Sequence, residues 1–72
     1  MNNIESFMTN LSKNIQFYRN SKGYSIKELS KLSGVSESYI SKLENNQIKT
    51  TTVKTLCQIA NALDVSFEKL TF

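Results

Sequence analysis

The sequence predicts an all-α domain of five short helices, and two patterns carry that expectation. Apolar residues recur three and four apart in successive stretches, so each stretch can turn one stripe inward. Between the stretches stand Ser, Thr, Gly and Asn, the residues that start and stop helices. No strand is expected. A chain of 72 residues makes one small domain with an only marginally sufficient core, so association with a second copy is also expected.

The first helix should run from about Asn10 to Ser21, with Leu11, Ile15 and Tyr18 spaced four and three apart and Gly23 stopping it. Ser25 and Glu28 have the spacing of a capping box, which starts a second helix at Ile26 with Leu29 and Leu32 expected on its buried side. Gly34 can take positive φ just past that helix, and Val35 fills the corner. Ser36 then caps a third helix, with Ile40 and Leu43 inward and Glu37, Ser38, Tyr39 and Lys42 outside. Asn45, Asn46 and Gln47 end it, with Asn46 as the left-handed residue. The run Thr50 to Thr52 offers a cap to a fourth helix that turns Val53, Leu56, Ile59, Ala60 and Leu63 inward, with Cys57 as a small core filler. Asp64 and Val65 turn the chain, and Ser66 caps a last short helix from Phe67 to Leu70. Residues 1–10 form an N-terminal extension to a domain of residues 11–72. Ile4, Phe7, Met8 and Leu11 share a face if the extension is helical; it then either lengthens the first helix or pairs with another chain, and the alternative is a frayed end.

Composition narrows the function. With no His, one Cys and no paired carboxylates at a recognisable spacing, the usual acid, base, nucleophile and metal-ligand sets are missing, so neither an enzyme nor a metal or other cofactor is expected. The apolar stretches fall far short of the ~20 residues that cross a membrane. No charged-then-apolar leader opens the chain, and a single thiol builds no disulfide framework; a cytoplasmic protein is expected. Net charge is +3, but from Leu11 to Leu63 eight basic residues face three acidic ones, an excess of +5 suited to a phosphate backbone.

Residues 25–44 thus carry two short helices joined through a tight turn containing Gly34. That is the helix-turn-helix arrangement, whose second helix enters the major groove of double-stranded DNA. Lys42 can donate to guanine O6 or N7, or rest solvated near phosphate. Glu37 can accept from cytosine N4, or complement the helix dipole. Ser38 can reach a base or a phosphate. Tyr39 falls beside the inner stripe, which favours contact with a thymine methyl or a phosphate over packing on the neighbouring helix. Ser25, Lys27 and Ser36 are candidates for phosphate at helix starts, and Asn45, Lys49, Thr51 and Lys54 for the same role. Phe17 lies off the inner stripe and could meet the extension or a partner. Phe67, Leu70 and Phe72 could supply a dimer surface.

Taken together, these residues resemble the Xre family of small helix-turn-helix regulators, to which the Cro and repressor proteins of lambdoid phages belong. The likeness spans about Leu11 to Leu70. Leu11, Ile15, Tyr18, Arg19 and Gly23 match the family's first helix, and Ser36, Ile40, Ser41, Leu43 and Glu44 its recognition helix. Leu56, Ile59, Ala60, Ala62, Leu63, Val65 and Ser66 match its fourth helix and the corner after it. The resemblance implies a compact lambda-repressor-like fold, an ion pair between Arg19 and Glu44, and a homodimeric transcriptional repressor on a palindromic operator. It also leaves open a controller protein of a restriction-modification system, or an antitoxin or anti-repressor module acting through a protein partner. The sequence departs from the family's pattern at Ile26, where many members have Gln, and at Asn46, where Gly is usual. The loop before the fourth helix is also longer than common, carries Ile48 and lacks the frequent Pro.

Overall fold

A computed structural model describes residues 3–72, and among them it forms five helices and no strand. They are α1 (Asn3–Ser21), α2 (Ile26–Ser33), α3 (Glu37–Glu44), α4 (Val53–Leu63) and α5 (Phe67–Thr71). The caps fall on the expected residues. Ser25 and Glu28 form the reciprocal capping box, while the Ser36, Thr52 and Ser66 side chains accept from the first turns of α3, α4 and α5. Gly34 closes α2 at φ 77° and Asn46 follows α3 at φ 58°. Asp64, expected to turn the chain, does so in the left-handed conformation at φ 56° after α4.

Helix α1 starts well before Asn10. Nothing in residues 3–10 breaks a helix, and the stripe of Leu11, Ser12 and Ile15 continues back to buried Met8 and half-buried Phe7, so tertiary burial sustains the earlier turns. Met1 and Asn2, the start of the extension, lie outside the described residues. Leu11, Ile15, Leu29, Ile40, Leu43, Ile59, Leu63 and Leu70 are fully buried and form one core. Around it α1 packs on α3 and α5, and α2 packs on α3 and α4. The Asn14 side-chain amide donates to the Leu70 carbonyl at 2.9 Å, tying α5 to α1.

Four expectations about burial are corrected. Leu32 is 57% exposed. At about 100° per residue, Ile26 and Ser33 lie on one side of Leu29 and Leu32 on the other, and the turn draws Ser33 inward. Val53 is 66% exposed, because the first position of α4 lies at the edge of the core beside Phe7 and Phe67. Cys57, about 100° from Leu56 around α4, is exposed and fills no core space. Leu70 is fully buried within its own chain, held against α1, and so offers no surface to a second one; Phe72 is 89% exposed and Phe67 half-buried.

Candidate nucleic-acid interface

The turn between α2 and α3 is locked by short-range bonds that follow from its sequence. The Gly34 N–H donates to Ser30 O at 2.9 Å, the Ser30 hydroxyl donates to Val35 O at 2.6 Å, and the Val35 N–H donates to Ser33 Oγ at 3.1 Å. Val35 is buried beneath the corner, so the angle between the helices is set both by hydrogen bonds and by packing. Ser36 then caps α3 by accepting the Tyr39 N–H at 3.1 Å. Ile40 and Leu43 anchor the inner face of α3, leaving Glu37, Ser38 and Lys42 together on its exposed face.

The far end of α3 is fixed by the Arg19–Glu44 pair. Arg19 Nε donates to Glu44 Oε2 at 2.6 Å and Nη2 donates to Oε1 at 2.9 Å, a bidentate fork between α1 and α3. Nη1 donates to Tyr24 O at 2.8 Å, which adds the turn between α1 and α2 to the same junction. The side chains are 13% and 3% exposed. The hydrogen bond to Glu44 raises the Arg19 pKa further above its already high ordinary value, against the lowering effect of burial.

Other candidate residues divide by how free their polar atoms are. Lys27, Lys42, Lys49 and Lys54 are exposed. Ser25 is largely committed: its N–H donates to the Glu28 carboxylate at 2.9 Å and its Oγ accepts the Glu28 N–H at 3.0 Å. Hydrogen bonding from Ser25, its backbone N–H first, holds the Glu28 carboxyl below its usual range, so an acid already sits at the start of α2, and a phosphate there would depend on Lys27 and the free first-turn amides. The Asn45 amide donates to Ser41 O at 2.9 Å. Tyr39 is half-buried against the core and its hydroxyl donates to Thr51 Oγ1 at 2.8 Å, so packing describes it better than DNA contact; a phosphate would compete with Thr51 for that proton. Ile26 is half-buried and its side chain brings no donor.

A depression of about 390 Å³ beside α3 was not foreseen. Its walls include both N-caps, Ser36 and Thr52, so the N-termini of α3 and α4 open on one cleft whose side is Gln58. Gln58 Nε2 reaches Ser33 O at 3.4 Å. Its position on α4 carries no local signal, because only the packing of α2 on α4 brings it to the turn.

Residues 15–70, covering most of the described helices, match the helix-turn-helix family HTH_3. The chain belongs to this family. It is 37% identical over 60 residues to the HTH-type transcriptional regulator SinR of Bacillus subtilis, covering 83% of this chain and 54% of that protein. The chain thus spans about half the length of the regulator it matches. Among solved structures it resembles the restriction-modification controller protein C.AhdI from Aeromonas hydrophila, with a TM-score of 0.82 and 27% identity over 88% of this chain and 94% of that one. The controller protein C.Esp1396I matches with a TM-score of 0.80 and 32% identity, over 89% of this chain and 86% of that one. No helix among the described residues is long and apolar enough to cross a membrane.

Proposed function

We propose that this family member is a sequence-specific DNA-binding transcriptional regulator that acts in the cytoplasm as a homodimeric repressor on a palindromic operator. The observation that carries the reading is α3 itself: a short helix clamped at one end by the Gly34 turn and at the other by Arg19–Glu44, with Glu37, Ser38 and Lys42 presented together. Such a helix meets base edges with its backbone already in place, and fixed geometry lowers the ordering cost of binding. Lys42 donates to guanine, Glu37 accepts from cytosine, and Ser38 assists. Lys27, Lys49 and Lys54, with the helix starts at Ser25, Ser36 and Thr52, hold the sugar-phosphate backbone. Asn45 and Thr51 support that contact from the loop. Two copies supply two half-sites about one helical turn, roughly 34 Å, apart, joined through exposed Phe72 and half-buried Phe67. No catalytic step or metal enters this reading.

A narrower role as a restriction-modification controller is favoured by the near end-to-end match to two controller proteins. Titration of labelled duplex DNA across salt tests the reading. If the dimer neutralises on the order of 6 to 10 phosphates, affinity falls roughly 10³- to 10⁵-fold between about 50 and 200 mM salt, and Lys27→Ala lessens the slope. A flat response would favour a module that acts through a protein partner instead.

A further inference from the structure

Asn46 stands in a left-handed conformation, φ 58°, that glycine adopts more readily. Its side chain does what glycine cannot: Nδ2 donates to Thr9 Oγ1 at 3.2 Å, joining the loop after α3 to the early part of α1. Both residues line a cleft of about 590 Å³, whose walls also include Glu5 and Met8 on α1 and Ile48 and Lys49 on the loop. Two more points fix the same loop. Ile48 packs against the core, and Thr51 accepts the Tyr39 hydroxyl at 2.8 Å, attaching the loop's far end to the recognition helix. Between these fixed points Gln47, Lys49 and Thr50 are exposed.

We infer that Asn46 and Thr9 are positioning residues for DNA: their clasp makes the early turns of α1 a support for the loop, so that Lys49 is presented to phosphate in a fixed place. The inference rests on the DNA-binding reading. The physical reason is pre-organisation. A lysine on a free loop gives up chain entropy on meeting phosphate, whereas one on a loop held at three points has largely given it up on folding. Within residues 3–10 the core encloses Met8 and packs Phe7, and the clasp adds a polar tie at Thr9.

Asn46→Gly is an informative substitution, because glycine keeps the positive φ without strain and removes only the side chain. Thr9→Val removes the acceptor at nearly constant shape. Each variant and the double variant would be titrated with a short random-sequence duplex across the salt range, beside wild type and Lys49→Ala, with thermal unfolding in parallel. The expected result is an affinity loss of about threefold to tenfold and a log–log salt slope smaller by about one phosphate per chain, as for Lys49→Ala. The double variant should lose no more than either single one, because one bond is removed in each case. The melting temperature of Asn46→Gly should remain at or near that of wild type. If wild type binds with a steep slope and Asn46→Gly matches it, the clasp has no such role and the DNA reading stands. If affinity falls only with lost stability while the slope is unchanged, the inference is likewise overturned. A wild type that ignores salt removes both.

Discussion

Glu44→Ala should be among the most damaging single substitutions outside the apolar core. The carboxylate is 3% exposed and bound by both arms of the Arg19 fork, so its removal strands a guanidinium that is itself only 13% exposed. Breaking a buried pair in this way costs about 3–5 kcal/mol, against about 0–1 kcal/mol for an exposed pair. Arg19 keeps its bond to Tyr24 O, which places the expected loss near about 3 kcal/mol. A domain of this size has a total stability on the order of 4–11 kcal/mol. The loss is then a large share of it and lowers the melting temperature by about 12–24 °C. Thermal and urea unfolding of Glu44→Ala, Arg19→Ala and both together would be followed by circular dichroism. The pair Arg19→Met with Glu44→Leu, which leaves no stranded charge, should recover much of the loss. A Glu44→Ala cost below about 1 kcal/mol would refute the reasoning, since it would mean that solvent already screens the pair.

The end of the chain provides a second contrast. Leu70→Ala should cost about 2–5 kcal/mol because it opens a cavity between α5 and α1. Phe72→Ala should change stability by less than about 0.5 kcal/mol yet weaken self-association, as sedimentation would show; an unaltered dimer would move the interface elsewhere. The capping box gives a pH signature. Because the Glu28 pKa is lowered in the folded state, its contribution is present above the unfolded value of about 4.3 and is lost as pH falls through the lower folded value. The melting-temperature gap between wild type and Glu28→Ala should therefore narrow on acidification below about pH 4. A gap that stays constant to low pH would show that the carboxylate bond to Ser25 contributes nothing.

Features that depend on neighbouring residues were legible in the sequence. Ser25 with Glu28, Gly34, Ser36 and Asn46 each act within a few residues, and the structure places each as its local chemistry requires. Arg19 and Glu44 lie 25 residues apart, and only the resemblance to a family joined them before the structure did. Burial was less legible, because periodicity gives a stripe but not its limits. Leu32 and Cys57 fall just outside their stripes, while Val53 falls on one but at the helix end, where the core leaves it largely exposed. Leu70 belongs to the core of its own chain because Asn14 and α1 hold it there. The Tyr39–Thr51 and Asn46–Thr9 bonds join residues 12 and 37 positions apart, and polar pairs at such separations leave no periodic trace.

Selection of binding sites from random duplex DNA, carried out in parallel with wild type and Lys42→Ala, tests the central claim most directly. A recognition helix held as α3 is held should enrich a twofold-symmetric site with half-sites about one helical turn apart. Lys42→Ala should relax one symmetric position and cost about 1–3 kcal/mol on the best site while the other positions persist. Wild-type protein that enriches no motif would contradict sequence-specific DNA binding, and an unchanged motif for Lys42→Ala would contradict its contact with a base.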